Sequence, residues 1–472
     1  MSPRRAKLVC TLGPTSADPS VVLDLIRAGT DVFRVNLSHG DAREHAALVS
    51  TVRAAAERSG AEPAVMADLP GPKIRLGELV GEPVRLEAGS TFALRSDGAP
   101  GDATGASTTY VGLGRDVRAG DRILLADGAV ELCVRTTGAE VLTDVVKSGS
   151  VRSRAGVNLP AERLSLPAIT ERDREALTTA LDLDVDLVAQ SFVRSAADVI
   201  GLRALMGWRE VPIVAKIETR PAVEGIDGIL AQADAIMVAR GDLGVELPME
   251  EIPMLQKEFL RSARAAGRPA IVATQMLESM IHAPRPTRAE ASDVANAVLD
   301  GADAIMLSGE TAIGEFPLEA ARAAERIAGV AEERAGGFRS AGPAPAHADE
   351  AAAVAHAAAQ IAADDPAVVA IACYTETGRT AGLLSVERPG VPIYAFVPDP
   401  KVRRALNVRW GVRGLPAEPP ADTDAMIALM AEGLRASGAV REGRSVVMAA
   451  SMPAGKSTTN MLKVHQLGEP VR

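Results

Sequence analysis

Eight times along this chain a short apolar run with strand character is followed by a stretch with helical character. That alternation confines the chain to folds built on a parallel sheet. The first three strands read at residues 7–12, 31–38 and 63–69, and the other five at 186–191, 211–218, 234–239, 270–274 and 303–308. Between the third and the fourth the rhythm breaks. Residues 72–157 carry short strand runs and turns such as Ser96-Asp97-Gly98 and Ala126-Asp127-Gly128, which mark a small β domain inserted into the larger one. Without the insertion about 250 residues remain, the size of an eight-fold (β/α) barrel. A doubly wound open sheet is the alternative, but eight units with no sign of a reversal favour closure. A linker rich in Gly, Ala and Pro at 336–345 leads to further strands at 367–374, 392–397 and 445–450. The expected fold class is therefore α/β: a (β/α)8 TIM barrel in two stretches, 1–71 and 158–335, a β-barrel lid domain at 72–157, and a C-terminal α/β domain at 345–472. Pro70-Gly71-Pro72 and Asn158-Leu159-Pro160 read as the hinges of the lid.

Composition narrows the function classes. The formal net charge of −10 over 472 residues argues against nucleic acid or an anionic membrane as a general partner. An anionic small substrate remains compatible if cations gather locally. The three cysteines, Cys10, Cys133 and Cys373, lie far apart in apolar runs, as reduced core thiols do in a cytoplasmic protein. No apolar signal core and no hydrophobic run long enough to span a bilayer is present, so a cytoplasmic location is expected.

In a (β/α) barrel the active site lies at the C-terminal ends of the strands. The strand at 211–218 ends on Lys216 and Glu218, which share one face, while Ile213, Ala215 and Ile217 share the other. Alone, this pair reads equally well as a solvent-facing ion pair. The other strand ends shift the balance. Strand two supplies Arg34, Asn36, Ser38 and His39; strand three Asp68; strand four Ser191; strand six Arg240-Gly241-Asp242; strand seven Thr274-Gln275; strand eight Ser308-Gly309-Glu310. Glu218 and Asp242 end neighbouring strands, roughly 4.8 Å apart, and two carboxylates that close call for a hard divalent cation between them. Mg²⁺ fits, with Mn²⁺ as a substitute; the scattered histidines and cysteines do not suit zinc. Cations such as Arg34 and Lys216 beside Mg²⁺ are the equipment of phosphoryl transfer. A salt-bridged rim that only stabilises the barrel is the bland alternative, disfavoured by the number of converging residues.

Two anion-binding motifs are weaker. Ala454-Gly455-Lys456-Ser457-Thr458 imitates the end of a P-loop, but Ala450 stands where that motif needs its first glycine. Thr375-Glu376-Thr377-Gly378-Arg379-Thr380 follows a strand and opens a helix, where backbone N–H groups, hydroxyls and a guanidinium suit a phosphate. An ordinary capped turn explains it equally well.

Several blocks together resemble the pyruvate kinase family: Lys7-Leu-Val-Cys-Thr-Leu-Gly-Pro14, Arg34-Val-Asn-Leu-Ser-His-Gly40, Gly71-Pro-Lys-Ile-Arg75, Ala215-Lys-Ile-Glu218, Met237-Val-Ala-Arg-Gly-Asp-Leu-Gly-Val-Glu-Leu-Pro248, Ala273-Thr-Gln-Met-Leu-Glu-Ser-Met280 and Pro284-Arg-Pro-Thr-Arg-Ala-Glu290. The resemblance implies transfer of a phosphoryl group from phosphoenolpyruvate to ADP, giving pyruvate and ATP. It assigns Glu218 and Asp242 to Mg²⁺, Lys216 to the phosphoryl group in flight and the enolate it leaves, and Arg34 to the phosphate. Gly241 and Thr274, with Asp242 beside them, would position the substrate carboxylate, and Thr274 lies where the enolate is protonated. Asn36, His39 and Arg75 would serve the nucleotide, and the inserted domain would close over the site.

One departure from the family pattern bears on cofactors. Asn36, Ser38 and Asp68 match the potassium-ligand positions, but K⁺-requiring members carry Thr and Glu where this chain has Leu69 and Lys73. The Lys73 ammonium then supplies the charge that K⁺ would bring, and K⁺-independent activity is expected. The resemblance further implies a homotetramer whose C-terminal domain binds a phosphorylated small-molecule effector, with Thr375, Thr377, Gly378, Arg379 and Thr380 at the effector loop. Two rivals stand beside this reading. One is another Mg²⁺-dependent phosphoenolpyruvate or pyruvate barrel such as an aldolase, which lacks the Arg34–His39 and Thr274–Met280 blocks. The other is a non-catalytic regulatory homologue, opposed by intact Arg34, Lys216, Glu218, Asp242 and Thr274.

Overall fold

The computed structural model describes residues 4–334, 349–451 and 458–469. The linker expected at 336–345 and residues 454–457 of the P-loop imitation lie outside the described residues. Eight parallel strands close into a barrel: Lys7–Thr11, Val32–Asn36, Ala64–Asp68, Leu187–Gln190, Ile213–Ile217, Ala235–Ala239, Ala270–Ala273 and Ala304–Leu307. Each pairs with its successor, and the last pairs with the first. Strand alternation divides the side chains cleanly. Val9, Val32, Met66, Leu187, Val214, Met237, Ile271 and Met306 fill the lumen. Phe33, Val35, Ile213, Ala215 and Ile217 face the surrounding helices instead. Full burial of each large side chain contributes about 1.5–3 kcal/mol.

The helices are set by local chemistry. Ala42–Ser59 starts on a capping box in which Asp41 accepts from Glu44 N and the Glu44 side chain answers Asp41 N. It stops at Gly60, where φ is +69°. Thr287 and Glu290 form the same device ahead of Arg288–Leu299, and Thr170 and Asp173 ahead of Glu171–Asp182. Asp173 does a second job, accepting the Gly71 N–H at 2.7 Å and so tying the first hinge of the lid to the barrel.

The inserted domain has the β-barrel character that the sequence suggests, as a half-barrel. Its strands make a six-stranded sheet and a separate two-stranded one. Short strands of two to seven residues with Gly/Asp turns supply curvature, and residues 74–77 bridge the edge strands Val157–Asn158 and Gly105–Ser107: Val157 N donates to Ile74 O and Leu76 N to Ala155 O on one side, Gly77 N to Ser107 O and Thr109 N to Arg75 O on the other. Its apolar core, built on Phe92, Leu94, Ile123 and Leu132, also takes in Leu159 and Leu164.

The C-terminal domain is a five-stranded sheet ordered Val412–Pro416, Ile393–Val397, Val368–Tyr374, Ser445–Ala450 and Met461–Gln466, the last antiparallel. One face packs on Ala355, Ala358 and Leu384, the other on Met426, Met430 and Leu434. The domain seals the floor of the barrel, because Val408 packs among the lumen residues. Around this plug Arg403 holds Glu62, Arg404 holds the buried Asp186, and Lys7 Nζ donates to Val412 O. Cys10, Cys133 and Cys373 are free, and burial pushes the Cys10 and Cys373 thiols up to about 12. Among the described residues no helix is long and apolar enough to cross a membrane.

Candidate active site

A cleft of about 670 Å³ opens at the C-terminal end of the barrel. Its barrel wall includes Arg34, Lys216, Glu218, Gly241, Asp242 and Thr274, and the lid supplies the opposite wall through Asp127, Gly156 and Val157. The sequence-predicted catalytic residues are therefore together. Arg34, Asp68 and Lys216 arrive by one rule, an inward position one pleat beyond the apolar lumen layer; Glu218 follows just past its strand, and Gly241, Asp242 and Thr274 lie beyond the ends of theirs.

The centre of the cleft is a chain of ion pairs. Arg34 Nε donates to Asp68 Oδ2 at 2.6 Å and Arg34 Nη1 to Thr11 Oγ1 at 3.2 Å. Lys216 Nζ donates to Ser191 Oγ at 2.8 Å and lies 3.5 Å from Asp68 Oδ1 and 3.3 Å from Glu218 Oε2. Asp68 is buried; burial opposes its charge, but Lys216 and Arg34 hold its carboxyl below the usual range. Burial also works against the Lys216 ammonium, and Asp68, Glu218 and Asp242 outweigh it, so this lysine stays charged.

Glu218 is the anomaly. Burial first, then the neighbouring Asp242, pushes its carboxyl up despite Lys216. Its Oε1 accepts the Phe192 N–H at 2.5 Å, whereas Oε2 is buried and accepts no hydrogen bond. A buried carboxylate oxygen that accepts no hydrogen bond and has only an ion-pair contact with Lys216 at 3.3 Å, beside a second carboxylate, is an environment a hard cation completes. The donors are oxygens, so the pair fits Mg²⁺. Among the described residues no three His, Cys, Asp or Glu side chains converge on a metal position, so Glu218 and Asp242 would act as a pair. Asp242 does not end a strand as expected. The sixth strand stops at Ala239, and Asp242 sits in the first turn of the helix Arg240–Glu246.

Thr274 and Gln275 follow the seventh strand with φ of +69° and +55°, a conformation costly to residues with a side chain. The turn is held from outside. Thr274 Oγ1 accepts the Gly241 N–H at 2.7 Å and donates to Ala273 O, while Arg240 binds Thr274 O at 2.8 Å and Asp293 at 2.7 Å. Arg240 and Phe192 are residues the sequence reading gave no role. The Met237–Pro248 block contains the first, but nothing local marks the second.

Other predicted positions lie around or beyond this centre. His39 sits on the rim, its imidazole pushed down first by burial and then by Lys73, Arg75, Arg172 and Arg34. That ring of cations suits a phosphate tail. Arg75 Nη1 donates to Arg154 O on the lid. Asn36 Oδ1 accepts the Ser38 N–H at 3.1 Å, so one of the expected potassium oxygens is already engaged. Lys73 lies in the cleft, its ammonium pushed down by burial and by Lys216 against the pull of Asp242, Asp68 and Glu218. Thr375–Thr380 is on the C-terminal domain, at the end of its central strand, where strand order reverses. There Gly378 has φ +81° and donates its N–H to Thr375 Oγ1; Thr380 contacts Thr459, Arg379 pairs with Asp349, and Thr377 is exposed.

Comparison with known proteins agrees with this architecture. Residues 3–321 match the family model described as "Pyruvate kinase, barrel domain", and residues 352–465 match "Pyruvate kinase, alpha/beta domain". A pyruvate kinase of Mycobacterium intracellulare is 44% identical over 99% of both chains. One of Mycobacterium tuberculosis (strain ATCC 25618 / H37Rv) is 43% identical over the same shares. The crystal structure of a pyruvate kinase from Cryptosporidium parvum superposes with a TM-score of 0.90 at 33% identity, covering 98% of this chain and 96% of that one.

Proposed function

This chain belongs to the pyruvate kinase family, and from that premise we propose how its own residues carry the transfer of a phosphoryl group from phosphoenolpyruvate to ADP. The observation that carries the assignment is the buried Lys216, set 3.3 Å from Glu218 Oε2, an oxygen that accepts no hydrogen bond, and 3.5 Å from Asp68 Oδ1. Glu218 and Asp242 would hold Mg²⁺, which when bound neutralises charge on substrate oxygens. Arg34 grips the phosphate, its guanidinium already oriented by Asp68 and Thr11. As the phosphorus passes to the ADP oxygen, the bond to the enol oxygen breaks and negative charge is left on the enolate. Lys216 is placed to stabilise both the moving group and that enolate. Gly241 and Thr274 orient the carboxylate, and the proton that completes pyruvate arrives at the enolate carbon on the Thr274 side. His39, Arg75 and Asn36 lie where the nucleotide would enter. The lid wall excludes water, which would otherwise consume the phosphoryl group.

Two structural features support potassium independence. Asp68 is saturated by Arg34 and Lys216, and Lys73 adds a cation facing the same carboxylates. A lactate dehydrogenase-coupled assay with phosphoenolpyruvate, ADP and Mg²⁺ in potassium-free buffer tests this directly. Wild-type turnover is expected to be within about twofold with and without KCl, and Lys73→Glu to lose about a hundredfold without KCl and recover with it. A wild-type enzyme active only with KCl, or a Lys73→Glu variant indifferent to it, removes the lysine-for-potassium reading. No turnover in any buffer removes the assignment of the cleft.

The loop Thr375–Thr380 is proposed to take the phosphate of a small effector on the N-terminus of the helix Arg379–Val386, with Arg379 released from Asp349. Addition of AMP or a hexose phosphate is expected to lower the phosphoenolpyruvate concentration at half-saturation, and Arg379→Ala to raise the activating concentration about tenfold. An Arg379→Ala response identical to wild type places the effector elsewhere. We further propose a cytoplasmic homotetramer, which light scattering on the purified protein distinguishes from smaller assemblies.

A further inference from the structure

The four residues that follow the fourth barrel strand touch the catalytic cluster and the lid by turns. Ser191 Oγ accepts from Lys216 Nζ at 2.8 Å and donates to Leu69 O at 2.8 Å, beside the first hinge of the lid. Phe192 donates its N–H to Glu218 Oε1 at 2.5 Å, while its ring packs against the apolar core of the lid. Val193 returns to the core of the barrel. Arg194 lies over the Phe192 ring, 5.4 Å from its centroid, and binds the carbonyls of Leu164 and Leu166 at 2.9 Å each. Leu164 belongs to the core of the lid, and Leu166 packs against it.

Two backbone facts show that this loop is held rather than merely filling space. Phe192 has φ +58°, a conformation that a residue with a side chain keeps only where its surroundings over-determine it. Gly71, at the hinge, has φ +68°, and a Cβ there would stand 2.7 Å from Ser191 Cβ. The hinge therefore presses directly on the loop, with no room for a side chain between them.

We propose that the 191–194 loop couples the position of the lid to the catalytic cluster. Seating of the 164–166 strap on Arg194 and Phe192 fixes the Phe192 N–H, which orients Glu218, and fixes the Ser191 hydroxyl, which orients the Lys216 ammonium. Ser191, Phe192 and Arg194 are positioning residues: their own side chains or amides act through Lys216 and Glu218. Because Glu218 Oε1 is occupied by the Phe192 N–H, rotation of that peptide frees or withdraws the carboxylate as the lid moves. The consequence is that metal affinity depends on lid contacts made through this loop. This inference rests on the assignment of Glu218 as a Mg²⁺ ligand.

The test is Mn²⁺ binding to the whole enzyme, read by electron paramagnetic resonance of the free ion, with Mg²⁺ KM and kcat measured alongside. The variants are Phe192→Gly, Phe192→Leu, Arg194→Met and Glu218→Gln, each checked by circular dichroism and thermal unfolding. Phe192→Gly loses the ring but relaxes the backbone, so its Tm is expected to stay near wild type. Its Mn²⁺ Kd and that of Arg194→Met are expected to rise about tenfold, the lower end of what groups behind a metal ligand contribute. Phe192→Leu keeps an apolar contact with the lid and is expected to remain within about threefold of wild type. Unchanged Mn²⁺ affinity in both Phe192→Gly and Arg194→Met, with affinity lost in Glu218→Gln, overturns the coupling and leaves the loop a brace for the rim. Unchanged affinity in Glu218→Gln overturns the metal assignment itself, and the coupling with it. Arg194→Met alters no backbone preference, so it decides the matter if the glycine variant does not fold.

Discussion

Replacing Lys216 by methionine is expected to lower kcat about a thousandfold while raising KM for phosphoenolpyruvate only a few-fold. The split follows from geometry. Arg34 grips the phosphate independently of Lys216, through a guanidinium fixed by Asp68 and Thr11. Lys216 faces the point where charge develops, held between Ser191, Asp68 and Glu218. Its ammonium is charged in spite of burial because Asp68, Glu218 and Asp242 outweigh desolvation. The stabilising charge thus exists before the substrate arrives and needs no reorganisation during the reaction. Methionine keeps the length and removes the charge. Arginine keeps the charge but spreads it over a planar fork too large for the 2.8 Å contact with Ser191, so Lys216→Arg is expected to recover less than a tenth of the lost rate. The coupled assay at saturating ADP and Mg²⁺ decides it. A methionine variant within tenfold of wild-type kcat would show that the phosphoryl group is stabilised from elsewhere.

Most of this site can be read from sequence because a strand has period two. Once Lys216 and Glu218 end a run of buried β-branched residues, their common face is fixed, and so is the opposite face of Ile213, Ala215 and Ile217. The barrel follows from repetition of that pattern, and the helix starts from local boxes such as Asp41 with Glu44. What could not be read depends on contacts between distant segments. Asp242 falls in a helix because Thr274 Oγ1, from the next strand, captures the Gly241 amide and helix geometry begins at Arg240. Phe192 takes φ +58° because the core of the lid holds its ring and Glu218 holds its amide, and neither constraint leaves a local signature. The two edges of the lid's sheet are joined through residues 74–77, a connection that turn composition does not encode. Docking of the C-terminal domain is least legible of all: Arg403 finds Glu62 across more than three hundred residues of sequence, and Val408 enters the lumen from about a hundred residues past the last barrel strand.

That docking gives the largest expected stability effect. Glu332 ends the barrel on the helix Pro317–Arg334 and is only 5% exposed. Its Oε2 accepts Arg5 N at 2.7 Å, and its Oε1 accepts Ala6 N at 2.7 Å and Trp410 Nε1 at 2.9 Å. One carboxylate therefore joins the entry to the first barrel strand, the last barrel helix and the C-terminal domain. Two guanidinium groups crowd the same place: Arg388 lies 4.8 Å from the Trp410 ring and Arg5 5.5 Å. Burial pulls both of their pKa values down, and Glu332 is among the charges that resist it. Glu332→Ala would leave three donors without an acceptor and two buried cations less compensated, at a cost of about 3–5 kcal/mol. A Tm lowered by roughly 4 °C is expected in a thermal scan at fixed protein concentration. Glu332→Gln retains one carbonyl acceptor but no charge, so its loss should be smaller and should identify how much of the effect is electrostatic. The cleft lies at the other end of the barrel, so at 25 °C the folded fraction of Glu332→Ala should keep wild-type KM for phosphoenolpyruvate. A Tm within about 1 °C of wild type would mean that the floor of the barrel is held by the Val408 plug and the Arg403 and Arg404 ion pairs alone, and that the carboxylate is dispensable.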